Sequence, residues 1–416
     1  MIYRLLHILA CVSLLACLIM PLSGCAVNRP TQTTEELERM RIERLRDIDK
    51  YRQITLDRYV QRMKIDADAF HAGVDTSPTF DILILSGGGD YGAFGAGFLQ
   101  GWGSVKDATM HRPTFDVVTG VSTGALIAPF ALLGDETSYK RITKLYRNPK
   151  EDWASLKDIF FFLPGRESFM STKGLRRDLE REVDVEVIRR IAQAEREGRT
   201  LSIGTTNLDL GVQHPWDLTA EAKKFVERGV PGRFYDILMA SAAIPAAFPP
   251  VVIDGALYVD GGTTGNILFL NVMHPDDSPL GVYQKRYPNQ PVPRFRYWII
   301  INNQLGAEPR IIQPTWISIT EASVSTAIRA STLGSLRQLM LQAEVLRRQN
   351  VDVEFRYVAI PDSWRPPKAG IFVKETMESL ADLGMQMGSD PKAWQSDLFP
   401  QLLKEDQPVS PEEHQP

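Results

Sequence analysis

Cysteine is scarce in this sequence, and its positions exclude two ways of stabilising the fold. The 416 residues contain three cysteines, Cys11, Cys17 and Cys25, all close to the N-terminus. The body that follows Cys25 therefore has no thiols for a disulfide framework or a thiolate metal cluster, and its stability has to come from a hydrophobic core. A chain of this length with 44% hydrophobic residues can bury a core of that kind.

Basic residues are not in excess, and histidine is rare. There are 47 lysines and arginines against 51 aspartates and glutamates, which gives a formal net charge of -4. Without a basic excess or a basic stripe, nucleic acid is not an expected partner. The six histidines lack the paired spacing of metal ligands, so no metal site is predicted.

One long apolar run lies at the N-terminus. Arg4 precedes the apolar residues 8–22, and two small residues lead to Cys25. This pattern is typical of a secretory signal, with an uncleaved membrane anchor as the alternative. The ending LSGC resembles the lipobox of bacterial lipoproteins, which implies loss of residues 1–24 and attachment of lipid to Cys25. Because Ala26 rather than Asp follows, the chain resembles lipoproteins of the outer membrane. We therefore expect a lipid-anchored protein of the bacterial cell envelope.

Residues 115–128, FDVVTGVSTGALIA, carry the first chemical motif. A short apolar strand ends at Gly120, a helix restarts after Gly124, and Ser122 lies between them. This G-x-S-x-G spacing is typical of a nucleophile elbow, a tight turn that exposes the serine hydroxyl at the sheet edge. Pro129 falls inside the predicted helix, so we expect a kink or an early helix end there.

A glycine loop follows the preceding strand. Residues 82–85 are apolar and run directly into Gly87, Gly88 and Gly89, whose backbone N–H groups can face an anion. One reading is a dinucleotide fingerprint, which requires an acidic residue near the end of the next strand, whereas Asp116 lies at that strand's beginning. The other is an oxyanion hole in which the loop amides face the oxyanion that forms when Ser122 attacks an ester.

Two aspartates compete for the role of base. Residues 251–253 and 256–259 flank Asp254 and Gly255 as a hairpin, so Asp254 lies in its turn. Asp260 leaves the second strand, where its carboxylate can reach a neighbouring strand end, and it is the preferred base.

A histidine-containing triad is the alternative to a dyad. In the usual serine, aspartate, histidine order, only His274 follows Asp260 closely enough, and its surroundings resemble a surface loop. Because a carboxylate can act directly as the base for a serine, a dyad of Ser122 and Asp260 is the simpler hypothesis.

Taken in order, the motifs GGGDYG at 87–92, GVSTG at 120–124 and DGG at 260–262 resemble those of the patatin-like phospholipases. The resemblance implies an α/β protein, a three-layer α/β/α patatin-like sandwich with a central mostly parallel sheet. It also implies a nucleophile, Ser122, a base, Asp260, and hydrolysis of acyl esters of membrane lipids without a cofactor. The oxyanion loop would be formed by Gly87, Gly88 and Gly89, and the other motif glycines are Gly92, Gly120, Gly124, Gly261 and Gly262.

One position departs from that family. Tyr91 follows Asp90 where the family often has Arg or Lys, so charge assistance near the oxyanion is in question. Two other functions therefore stay open: another esterase or thioesterase specificity on the same dyad, and a catalytically silent envelope lipoprotein that binds lipid or protein.

The remaining chain divides around this predicted catalytic domain, 80–275. Residues 1–24 are the signal, and 25–79 are predicted to form a tether and an amphipathic helix that docks on the domain or lies on a membrane. Residues 160–163, FFFL, suggest a lipid-entry lip or a buried segment. A helix and strand extension is predicted over 276–365. It includes an irregular stretch from 278 to 294, a helix over 316–348 that Gly334 interrupts, and strands over 297–301 and 353–360. Residues 366–416 are predicted to be a tail with a disordered end.

Overall fold

Helices and strands alternate along most of the chain. The computed structural model describes residues 33–74, 77–156, 168, 170–270, 275–306 and 311–396. The helices cover, in chain order, Thr34–His71 (α1), Gly92–Trp102 (α2), Thr123–Leu133 (α3), Glu136–Arg147 (α4), Lys173–Glu182 (α5), Val185–Arg196 (α6), Leu218–Arg228 (α7), Phe234–Ser241 (α8), Pro279–Arg286 (α9), Trp316–Arg348 (α10) and Lys374–Gly388 (α11). The strands cover Thr79–Leu85 (β1), Val117–Val121 (β2), Ser155–Leu156 (β3), Met170–Ser171 (β4), Thr200–Asn207 (β5), Val212–Asp217 (β6), Val251–Ile253 (β7), Ala256–Asp260 (β8), Arg294–Ile301 (β9) and Val353–Ala359 (β10).

One large sheet joins most of these strands. Its order is β10-β9-β1-β2-β5-β8-β7, with β6 paired to β5, while β3 and β4 form a separate ribbon. Strands β10, β9, β1, β2 and β5 are parallel, whereas β6, β7 and β8 run antiparallel to their neighbours. Helices cover both faces of the sheet, so the residues of β1, β2 and β5 are almost all buried.

Two hydrophobic cores lie on opposite faces of this sheet. Successive residues of β1 alternate between them: Leu83 and Leu85 enter one core, and Ile82 and Ile84 enter the other. Helices α2, α3, α8 and α11 contribute to the first core, and α1, α9 and α10 to the second. The three-layer α/β/α sandwich predicted from the sequence is therefore confirmed.

Helix α1 is one 38-residue helix that docks through its second half. Thr33 caps it, and the side chain of Glu36 accepts from the Thr33 N–H in a capping box. Tyr59 and Met63 are buried against the sheet, whereas Leu37 near the start is exposed.

Helix α11 lies in the segment that the sequence analysis treats as a tail. It packs closely on α2, where a Cβ on Gly97 would lie 2.2 Å from the carbonyl oxygen of Ala381. Met377 and Leu380 extend into the first core. The prediction of a tail over 366–416 is thus wrong for this helix, which is a core element.

Three further expectations need correction. The stretch 278–294 is not irregular throughout, since Ser278 caps α9 and Pro279 occupies its first turn. Of the two expectations for Pro129, a kink or an early helix end, the early end is wrong because α3 continues to Leu133, and α10 runs through Gly334 without a break. In α3, burial of neighbours such as Phe130, worth roughly 1.5–3 kcal/mol per large side chain, offsets the cost of about 3 kcal/mol for an interior proline.

Candidate active site

Ser122 occupies the tight turn between β2 and α3. Its φ of 54° and ψ of -123° are unusual for a residue other than glycine, and such backbone costs roughly 1–3 kcal/mol. The Ser122 N–H donates to the Ser241 hydroxyl at 2.9 Å, and that hydroxyl donates to the Gly204 carbonyl at 2.6 Å. Ser241 therefore ties the strained turn to β5.

Gly124 allows the start of α3 to lie directly against the end of β1. A Cβ at this position would lie 2.4 Å from the carbonyl oxygen of Leu85, closer than any real contact of that kind. The second glycine of the G-x-S-x-G motif is thus required by close packing of backbone on backbone.

Strand β5 brings the predicted nucleophile and base together. Because β6 occupies one edge of β5, strands β2 and β8 share the other edge and meet there end to end. On that edge Val121 lies opposite Gly204 and Asp260 lies opposite Thr205. Ser122 directly follows Val121, so the two side chains lie where two strand ends converge.

The Ser122 hydroxyl lies close enough to the Asp260 carboxylate to lower its pKa by hydrogen bonding. The Asp260 Oδ1 accepts from the Gly262 N–H at 2.7 Å, which fixes the orientation of the carboxylate. Both side chains are 5% exposed. The arrangement is a hydroxyl poised to transfer its proton to a buried, oriented carboxylate.

Burial raises the pKa of Asp260 to about 6, against the opposing effects of the Ser122 and Gly262 hydrogen bonds. A carboxyl with this pKa is still about nine tenths ionised at pH 7. It is also a stronger base than an ordinary aspartate, because its pKa lies closer to neutral pH.

The glycine loop offers two unused donors beside this pair. In the described part of the chain, the N–H groups of Gly88 and Gly89 have no hydrogen-bond partner, while that of Gly87 donates to the Asn266 carbonyl at 3.3 Å. Gly87 is therefore not free to hold an oxyanion, and it instead lies against the Cβ of Ser122. Gly89 has φ of +59°, a conformation that favours glycine and orients the turn.

The acidic residue that a dinucleotide-binding loop requires does not lie near the glycine loop. The Asp116 carboxylate accepts from the Arg62 side chain at 2.6 Å and from the Asp81 N–H at 2.8 Å. It is buried in a structural ion pair at the beginning of β2, whereas the glycine loop follows the far end of β1.

Two residues that sequence reasoning missed support the loop and the turn. Asn302 follows β9, and its side chain accepts from the Gly95 N–H at 3.0 Å and donates to the Ser86 carbonyl at 2.8 Å. Ser241, described above, ends α8. The available signal for Asn302 was its position, since polar residues after adjacent parallel strands gather at one edge of the sheet.

A narrow apolar pocket of about 40 Å³ adjoins Ser122. Its walls include Leu126, Trp153, Phe248 and Phe372. Phe372, which precedes α11, has φ of +55° and contacts the ring of Trp153 edge to face at 5.6 Å. A side chain from the segment predicted as a tail therefore closes the pocket beside the nucleophile.

Asp90 holds this closing segment in place. Its carboxylate accepts from the Phe372 N–H at 3.2 Å. Burial raises the pKa of Asp90 to about 6. Next to it, Tyr91 packs edge to face on Trp364 with ring centres 5.4 Å apart, so the position contributes packing rather than a cation.

The competing aspartate lies elsewhere. Asp254 lies in the hairpin turn with φ of 49°, is half exposed and pairs with Arg233. His274 lies outside the described residues. Among the histidines that the structure does describe, none is hydrogen-bonded to Ser122 or Asp260, and burial lowers the pKa of His214 to about 3.

Other predicted features lie outside the described ranges, namely Cys25 and the FFFL segment at 160–163. Across the described ranges, no group of three or more histidine, cysteine, aspartate or glutamate side chains is arranged to hold a metal ion. No helix in the same ranges has both the length and the apolar character to cross a bilayer.

A search of curated proteins found no match. A search of solved structures found similarity to VipD from Legionella pneumophila, with 14% identity and a TM-score of 0.35 over 76% of this chain and 68% of that chain, too low to carry an argument. The family model described as Patatin-like phospholipase matches residues 83–273. That match, over the segment holding the glycine loop, Ser122 and Asp260, identifies residues 83–273 of this chain as a patatin-like phospholipase domain.

Proposed function

We propose that this protein is a serine hydrolase that cleaves acyl esters of membrane lipids with a dyad of Ser122 and Asp260. The observation that carries the proposal is the close approach of the Ser122 hydroxyl to a buried Asp260 carboxylate that the Gly262 N–H orients. Two unused backbone N–H groups and an apolar pocket lie beside the same hydroxyl, which supplies the other parts of an acyl-transfer site.

In the first half of the reaction, the Ser122 Oγ attacks the ester carbonyl as its proton passes to Asp260. The N–H groups of Gly88 and Gly89 donate to the oxyanion of the tetrahedral intermediate. Collapse of the intermediate breaks the ester bond, and Asp260 returns the proton to the departing alcohol oxygen. The acyl group remains on Ser122.

In the second half, water replaces the alcohol. Asp260 takes a proton from the water as it attacks the acyl-enzyme, the same donors hold the new oxyanion, and collapse releases a fatty acid. The proton then returns from Asp260 to the Ser122 Oγ. No histidine is needed, since the raised pKa of Asp260 lets one carboxylate act as base and then as acid.

The apolar pocket favours a lipid acyl chain over a polar acyl group. Its walls next to Ser122 are aliphatic and aromatic, including Leu126, Phe130 and Phe248. Each buried methylene of a chain would contribute roughly 0.8 kcal/mol of binding free energy. The alcohol part of the substrate would face away from these walls.

Covalent labelling and a substrate panel test the proposal. A fluorophosphonate probe should label the full chain and fail to label Ser122→Ala. Asp260→Asn should lower kcat by about 10²–10⁴-fold on phospholipid, the range expected for loss of a general base. Comparing phospholipid, lysophospholipid, short ester and acyl-thioester then identifies the bond. Absence of labelling in the wild-type chain would instead indicate a catalytically silent lipoprotein.

We also propose that lipid on Cys25 anchors the protein in the bacterial outer membrane, which rests on the LSGC sequence and the following Ala26. Radiolabelled palmitate should enter the wild-type chain and not Cys25→Ser. Continued labelling of that variant would contradict the anchor.

A further inference from the structure

A second and larger cavity lies on the opposite side of the sheet from Ser122. It has a volume of about 480 Å³, within the range of roughly 300–1,000 Å³ that small-molecule sites occupy. Its floor is formed by β1, β2 and β9, and its walls by α1, α9 and α10. The cavity is separate from the Ser122 pocket, since the two have no lining residue in common.

The lining of this cavity is largely apolar. Phe80, Ile82 and Phe295 line its floor, and Leu339 and Leu346 approach from α10. Lysine, arginine, aspartate and glutamate are absent from the lining residues among the described parts of the chain. Such a surface favours a ligand that is mostly hydrocarbon, and it supplies no cation to pair with a phosphate.

Two tyrosines contribute hydroxyl groups to the lining of the cavity. Tyr59 and Tyr297 both line it, and within the described ranges neither hydroxyl has a hydrogen-bond partner. Tyr59 is only 6% exposed, so a ligand bonded to its hydroxyl would be largely shielded from bulk water. Burial raises the pKa of Tyr297 to about 12 and holds that of Tyr59 well above its ordinary value, so both groups remain protonated donors.

The cavity opens beside α10. Val345 is 49% exposed and Leu341 is 62% exposed, yet both line the cavity, so they mark its margin toward solvent. The cavity has walls on several sides, so it suits a slender flexible chain better than a folded partner. A peptide helix, with a diameter of about 10 Å, would not fit beneath α10.

We propose that this cavity binds one long-chain fatty acid, with its carboxyl group accepting hydrogen bonds from Tyr59 and Tyr297. The hydrocarbon chain lies between the sheet and α10. The site binds and does not react, because the described lining holds no nucleophile and base pair. This inference is independent of catalysis at Ser122.

Photo-crosslinking of the purified full chain tests the inference. The probe is a palmitic acid that carries a diazirine within the chain and a terminal alkyne, and cross-linked peptides are mapped by mass spectrometry. The expected result is labelling concentrated on the α10 residues 338–349. Val345→Trp, which places a large side chain at the margin from an exposed helix position, should reduce it at least tenfold.

Matched variants separate this site from the Ser122 pocket. Tyr297→Phe keeps the shape and removes a donor, so the probe concentration for half-maximal labelling should rise about tenfold. Tyr287→Phe, outside the cavity, should leave that concentration unchanged, as should Leu126→Trp in the Ser122 pocket. Labelling that disappears in Leu126→Trp but persists in Val345→Trp would overturn the proposal. So would labelling spread evenly along the chain, or labelling insensitive to both cavity variants.

Discussion

Asp260→Asn should make the protein more stable at neutral and higher pH while it removes activity. The substitution keeps the shape of the side chain and removes its charge. The amide oxygen can still accept from the Gly262 N–H, which contacts Oδ1 in the wild type. The variant no longer has to bury a charged carboxylate, which costs free energy of folding.

The magnitude follows from the pKa of Asp260, which is raised by burial from 3.8 to about 6. Well below pH 4 the group is protonated in both folded and unfolded chains, so it costs nothing. As the pH rises from about 4 through 6, the unfolded chain ionises first and the native state loses stability. Above pH 6 the full cost is present, about 3 kcal/mol for a difference of about two pKa units. A weaker hydrogen bond with Ser122 offsets about 1 kcal/mol of the gain in Asp260→Asn.

Urea unfolding followed by tryptophan fluorescence, at pH 8 and at pH 4, measures this effect. We expect Asp260→Asn to raise the free energy of unfolding by about 2 kcal/mol at pH 8 and to leave it near or slightly below the wild-type value at pH 4. Asp254→Asn is the matched control, since its carboxylate is half exposed and paired with Arg233. It should lose up to about 1 kcal/mol at pH 8 and keep its activity. A destabilised Asp260→Asn at pH 8 would refute the reasoning.

Three other perturbations address the site. The value of kcat/KM should fall about tenfold for each pH unit below about 6, because only the Asp260 carboxylate acts as base; a pH-independent rate down to pH 5 would contradict this assignment. Ser241→Ala leaves the buried Ser122 N–H without its acceptor, so we expect a loss of about 1–3 kcal/mol in the free energy of unfolding and a fall in kcat with little change in KM. Phe372→Ala removes a wall of the Ser122 pocket, so kcat/KM for long-chain esters should rise relative to short-chain esters, and an unchanged ratio would place the acyl chain elsewhere.

The parts of the site that can be predicted from sequence are those encoded in short segments. Ser122 lies between a strand and a helix, and the glycine loop follows β1, so the local pattern of apolar residues and glycines indicates each position. Turn chemistry distinguishes Asp260 from Asp254, and the structure places Asp254 in the hairpin turn and Asp260 at the far end of β8. That β2 and β8 meet end to end along β5 could not be read from the chain.

Contacts between segments that are distant in the chain could not be predicted from the sequence. Ser241, Asn302 and Phe372 come from three parts of the chain, and their roles depend on which strand ends and helices become neighbours. Helix α11 carries apolar residues at helical spacing, Met377, Leu380 and Ala381, but the sequence analysis did not use this signal. Its glycines pack against α2, and close backbone contact of this kind leaves little hydrophobic signal.

Two errors have local physical explanations. The helix α9 carried a usable signal, a serine cap followed by proline in the first turn, although the surrounding proline and charge suggested irregular structure. Pro129 was weighed by its intrinsic cost alone, while the buried residues of α3 stabilise the helix by more than that cost.

Fatty-acid release from mixed phospholipid vesicles tests the central claim most directly. The full chain and its Ser122→Ala variant would be compared side by side, with the products identified by mass spectrometry. We predict that the wild-type chain releases fatty acid and that the variant does not. Equal release from both would contradict a reaction at Ser122, and release from neither would contradict hydrolysis of phospholipids.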